Sequence, residues 1–228
     1  MSGWSDDPTH WSLLLQSGDH GWTYFYERYR DPVVSLFQRG GLPASQVDDL
    51  TQEFFLSSLQ REFLDSANPT LGRFRSYLAT AARRFLISHY RASGRLKRSP
   101  QGKDLVPLEE GLDVPAEGGL TPEEAFDLAW ARGVLARATA TVQADYALRG
   151  KEAHAEAFQR KQEGESWQAI AAALGTSEAS ARGWASRFGD KLARAVRAEI
   201  AGTVPDSESE LDSELAYLSQ VLERAGRS

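Results

Sequence analysis

The chain reads as all-α: two helical domains joined by a flexible linker, the second containing a helix-turn-helix. Three observations predict this. Apolar residues recur at spacings of three and four, and β-branched runs are scarce, Val33-Val34 after Pro32 being the nearest to one. Residues 94–121 lose both the period and the aromatics and turn to Gly, Pro, Ser and Glu, a stretch too long for a loop inside one compact domain. Further on, two short apolar-periodic segments flank Gly175, the spacing of two helices joined by a tight turn.

The first domain, residues 1–93, opens with Trp11, Leu14 and Leu15, followed by Trp22, Phe25, Tyr26 and Tyr29 at helical spacing. Gly40-Gly41-Leu42-Pro43 breaks the helix. Ser45 with Asp48 three residues on predicts a capped start to the next one. Val47, Leu50 and Phe54 form its apolar stripe, while Asp48 with Gln52 and Asp49 with Glu53 pair at i,i+4 on the polar side. Asn68-Pro69 and Gly72 mark a loop. The helix after it is expected to bury Phe74, Leu78, Ala81 and Phe85 and to show Arg73, Ser76, Thr80, Arg84 and Arg91.

Beyond the linker, residues 122–204 form the second domain. Thr121-Pro122-Glu123-Glu124 supplies an N-cap, a Pro at the first helical position and an acid three residues after the cap. Phe126, Trp130 and Val134 continue the stripe. Ser166 caps a helix bearing Trp167, Ile170, Ala171 and Leu174. Gly175 sits where a helix end wants positive φ, and Thr176 and Ser177 offer a new cap. The following helix buries Ala181, Trp184, Ala185 and Phe188 and shows Ser180, Arg182, Ser186 and Arg187. Gly183 inside it costs roughly 1 kcal/mol relative to Ala. Residues 205–228 form an acidic extension. Leu211, Leu215, Leu218 and Leu222 make it a short amphipathic helix that would dock on the protein itself or on a regulator.

Net charge is −6, which at first sight argues against a nucleic-acid partner. The mean hides segregation. Residues 66–103 carry nine Lys and Arg and no acid, whereas residues 1–65 carry four against ten and residues 205–228 two against six. Such a split suggests a polyanion for the basic segment and a different partner for the acidic remainder; the plainer reading is a basic face packed against acidic neighbours. With no Cys, a disulfide scaffold, a Cys-ligated zinc and a thiol nucleophile are excluded. The start lacks the regions of a signal peptide, and no apolar run nears the ~20 residues that span a bilayer, so a cytoplasmic protein is the default. His10, His20, His89 and His154 stand in no metal spacing, and no phosphate loop or nucleophile elbow is present. Catalysis, a metal and a cofactor are therefore not expected.

Four strings together resemble a known family. WTYFYERYRDPVVSLFQRGGL, VDDLTQEFF, GRFRSYLATAARRFLISHYR and WQAIAAALGTSEASARGWASRF, in this order, resemble a bacterial RNA polymerase sigma factor of the small, two-domain extracytoplasmic-function type, in a subgroup with a short C-terminal extension. The resemblance covers roughly residues 10–200. It implies a subunit that binds core RNA polymerase, recognises promoter DNA and helps open the duplex. It would place Asp48, Asp49, Gln52 and Glu53 against the clamp helices of the largest polymerase subunit. Arg73, Tyr77, Arg84, Tyr90 and Arg91 would meet the minus-ten element, with Tyr77 and Tyr90 meeting unstacked bases. The helix bearing Ser180, Arg182 and Arg187 would enter the minus-thirty-five major groove. An anti-sigma factor or a Ser/Thr kinase is left open as regulator. The rival readings are a free-standing helix-turn-helix regulator and a polymerase-binding adaptor without promoter specificity.

Overall fold

The computed structural model describes residues 18–60, 73–92, 120–201, 203–204 and 207–226. Among these residues the structure is all-helical, with no strand. Trp11, Leu14, Leu15 and the linker up to residue 119 lie outside the described residues.

Three helices build the first core: α1 (Gly18–Arg39), α2 (Ala44–Gln60) and α3 (Phe74–Ala92). Their aromatics meet edge to face, Phe25 on Phe55 at 5.3 Å, Phe25 on Phe74 at 5.6 Å and Tyr29 on Phe74 at 5.1 Å between ring centroids. The α1–α2 turn is closed by Gly40 N–H on Leu36 O at 2.8 Å and by Gly41 at φ +86°. A Cβ on Gly40 would stand 2.3 Å from Leu86 Cδ2, so any larger residue there would push the buried Leu86 side chain aside. Helix α2 begins at Ala44, so Ser45 lies inside its first turn rather than at the cap, and the Asp48 side chain turns to Arg30 instead.

Helix α4 (Pro122–Leu148) starts with the full reciprocal capping box. Thr121 Oγ accepts from the Glu124 amide at 3.1 Å, and Glu124 Oε2 accepts from the Thr121 amide at 2.9 Å. Phe126, Trp130 and Val134 are all buried along it.

The compact units are drawn differently from the expected 1–93, 94–121, 122–204 and 205–228. Among the described residues, those up to Arg132 and those from Ala201 onward form one unit, and Gly133–Ile200 form the other. The physical reason is an unforeseen buried ion pair. Arg75 of α3 is 5% exposed and meets Asp127 of α4 and Glu214 of α8 (Glu208–Gly226). The acidic extension thus belongs to the first unit. This packing also turns the buried face of α3. Phe74 and Leu78 are buried as expected, but Ala81 and Phe85 are only partly covered, and Arg75, Ala79, Ala82 and Leu86 take the interior.

In the second unit, the later turns of α4 are joined by α5 (Ala153–Gln162), α6 (Trp167–Ala173) and α7 (Glu178–Ala201). Phe158 touches both of its core clusters, one around Val142, Phe188 and Leu192 and one around Ala157, Ile170 and Ala181. Ser166 Oγ accepts from the Ala169 amide at 3.2 Å and Ser177 Oγ from the Ser180 amide at 3.1 Å, capping α6 and α7. Gly175 between them takes φ +60°.

Candidate functional site

The polar face of α2 is built by its period. Asp49, Gln52, Glu53 and Leu56 fall at i, i+3, i+4 and i+7, and all four are exposed. Leu56, 57% exposed, puts an apolar side chain among these polar and acidic residues. The sequence reading missed it because Leu56 is off the Val47–Leu50–Phe54 stripe; that very displacement was the available signal. Asp48 stands apart, accepting from Arg30 of α1 at 2.8 Å.

On α3, Arg84 and Arg91 are exposed on one side, two turns apart. Tyr77, Thr80, Ala81, Arg84, Phe85 and Ser88 form one wall of a groove of about 370 Å³, with Phe54, Ser57 and Ser58 of α2 opposite. Its floor is aromatic, Phe54 and Phe85 meeting at 5.4 Å, and its rim carries one guanidinium and one phenol. A planar heteroaromatic ring with a neighbouring phosphate suits that combination. Tyr90 does not share the groove. Thirteen residues after Tyr77, it lies about 140° round the helix, and its hydroxyl donates to Gly40 O at 3.0 Å.

Arg73, expected on the open face, is held from α8. Its Nη1 meets Glu214 at 2.8 Å, and its Nη2 meets Ser213 at 2.8 Å and Glu210 at 3.5 Å. Arg75 beside it is the residue that sequence reasoning missed. Glu214 accepts from its Nε at 2.9 Å, Asp127 from its Nη1, and the guanidinium lies over the rings of Trp130 and Tyr217 at 5.0 and 4.6 Å. Burial works against its charge, but the Glu214 hydrogen bond and the charges of Asp127 and Glu214 more than offset that and raise its pKa. Tyr217 donates to Asp127, and burial, with that bond, pushes its phenol up to about 12.

In the second unit Ser180, Arg182 and Arg187 do not make one patch. Ser180 Oγ accepts from the Ser177 hydroxyl at 2.9 Å as part of the cap. Arg182 pairs with Glu178 at 3.1 Å and lies 5.3 Å over the Trp167 ring. Arg187, about 140° further round α7, folds back along Gly183, where a Cβ would stand 3.3 Å from its Nη1. There it joins Arg149, Lys151, Lys191 and Arg194 around a pocket of about 370 Å³ that also takes in Asp190 and His154. His154 stacks on Trp184 at 5.3 Å, and burial, then the charges of Arg187 and Lys151, lower its pKa. A cationic pocket of this kind holds an anion, and phosphate is the anion a nucleic acid offers.

Among the described residues no group of His, Asp or Glu is placed to hold a metal ion, and no helix is long and apolar enough to cross a membrane.

These features give one helical module an exposed polar, acidic face on α2 and a groove with an aromatic floor and an arginine at its rim between α2 and α3. Residues 25–96 match the family model described as Sigma-70 region 2, a match that takes in most of α1 and all of α2 and α3. It supports a sigma-70 family factor; region 2 in that family contacts core RNA polymerase and promoter DNA in transcription initiation, and the family is not enzymatic. Neither curated proteins nor solved structures gave a match.

Proposed function

We propose that this chain is a sigma factor of the extracytoplasmic-function type that binds core RNA polymerase and directs promoter recognition and opening, working in the cytoplasm. The observation that carries the reading lies inside the matched residues. The Asp49–Gln52–Glu53–Leu56 face of α2 and the groove bearing Tyr77 and Arg84 stand on adjacent helices, so one module offers a protein a surface and a nucleic acid another. The first face meets the polymerase clamp helices, with Asp48 at its edge. Tyr77 and the Phe54–Phe85 floor take an unstacked base of the minus-ten element while Arg84 and Arg91 track its backbone. In the second unit α6 and α7 act as the helix-turn-helix, meeting the minus-thirty-five element through the outer side of α7, with Arg187 and the cationic pocket beside it on phosphate.

Run-off transcription with purified core polymerase on genomic fragments tests the reading. Discrete promoter-dependent products are expected. The double variant Asp49→Lys/Glu53→Lys should weaken core association with helicity retained, and Arg84→Glu/Arg91→Glu should keep core binding yet lose permanganate-reactive thymines near the start site. Unchanged core affinity in the first variant, or a normal open-bubble signal in the second, overturns the assignment of that face.

A further inference from the structure

Helix α8 lies outside the matched residues, yet it packs on α3, which lies inside them. Leu211 and Leu218 are buried on its inner face, Leu215 and Leu222 are partly so, and between them stands Glu214, 1% exposed. A buried carboxylate gives specificity with little net stability, because desolvation consumes most of what the ion pair returns. Glu214 engages Arg75 of α3 and, with Glu210, Arg73 just before the helix. Release would not strand Arg75: Asp127 and the Trp130 ring remain to it. Arg73 would go to water and to any anion present.

We propose that α8 is a releasable clasp, an intramolecular polyanion that occupies Arg73 and so competes with a nucleic-acid strand for the start of α3. The proposal rests on reading α3 as a strand-binding helix. Glu210 and Glu214, one turn apart on α8, set two carboxylates against Arg73 and Arg75, the charge that a phosphate backbone would bring to them. With α8 seated, Arg73 is shielded in the free chain. When a strand or a partner displaces α8, Arg73 is returned to the side of α3 that carries Arg84 and Arg91.

The test is fluorescence anisotropy of a labelled single-stranded oligonucleotide against the full chain, at several salt concentrations, without polymerase. Glu210→Gln and Glu214→Gln each loosen the clasp. Glu223→Gln removes the same charge near the far end of α8. The first two should tighten binding about fivefold and steepen the log–log salt slope by about 0.7, one further phosphate neutralised on a single strand. Glu223→Gln should change neither. Equal effects of all three variants would reduce the clasp to bulk charge and overturn it, as would no effect of the first two. Should Glu214→Gln fail to fold by thermal melting, Glu210→Gln carries the test alone, since Glu210 is half-exposed. A chain that gains affinity here but opens no promoter keeps the clasp and overturns the sigma reading; one that opens promoters but gains nothing does the reverse.

Discussion

Removing the guanidinium of Arg75 would leave buried Glu214 with Arg73 alone and Asp127 with Tyr217, and those remaining partners govern what substitutions there do. Arg75→Ala is expected to destabilise the first unit by less than the ~3–5 kcal/mol of a wholly unpaired buried charge, because Arg73 stays on Glu214 and Tyr217 on Asp127. Arg75→Met combined with Glu214→Met and Asp127→Leu replaces the whole charged cluster by apolar volume and should come out near neutral. Urea melts of the two variants distinguish a paired charge from mere packing. His154 makes a pH-dependent case. Its folded pKa is lowered by burial first and then by Arg187 and Lys151, below an ordinary value of about 6.5. The unfolded chain therefore takes the proton first as pH falls. The stability tied to neutral His154 is present above about 6.5 and drains away as pH drops toward the folded pKa. Thermal melts between neutral and mildly acidic pH should show that fall, and His154→Phe, which keeps a ring on Trp184, should flatten it.

At the scale of the element, periodicity was a good guide to helices and a weaker one to their faces. The caps at Thr121, Ser166 and Ser177 and the turn at Gly175 were legible because each is a local contest between one side chain and a few backbone groups. The buried face of α3 was not. Counting apolar residues selects Phe74, Leu78, Ala81 and Phe85, but Arg75 is interior because carboxylates from residues 52 and 139 positions away come to it. No local pattern announces such a meeting. The nearest hint was the charge split, nine cations in residues 66–103 against an acidic extension, and the plainer reading of that split was right for Arg73 and Arg75. On α7, shared polarity put Arg182 and Arg187 together, whereas the helix sets them on different flanks. Arg182 is occupied by Glu178 and Trp167. Arg187→Ala should thus weaken binding to a minus-thirty-five duplex more than Arg182→Ala, by about 1 kcal/mol, or roughly fivefold, as read by gel shift. On α2, Leu56→Asp should lower affinity for core polymerase at least as much as Asp48→Asn, because Asp48 already has Arg30.

For the whole molecule, the unit drawn from both ends of the described chain changes what truncation means. Ending the chain after Ala201 deletes no residue of the second unit, yet it takes Glu214 and Tyr217 from the first. Amide hydrogen exchange should then quicken in α3 and the first turns of α4 while α6 and α7 keep their protection. Equal loss in both units would mean that they do not stand as separate cooperative blocks. The contact units divide at Arg132 and Ala201, away from the composition changes near 122 and 205: composition marks where a chain changes character, and burial decides which parts pack together.

Translation adds a consequence in time. Arg75 and Glu214 are 139 residues apart, so at roughly 5–20 residues per second the arginine waits on the order of 10–30 s for its carboxylate. Asp127 and Trp130 reach Arg75 early in that interval, but Arg73 stays open to an environment crowded with ribosomal RNA while the second unit emerges and closes its own core. Helix α8, made well after the other two partners of Arg75, is the one that quiets Arg73.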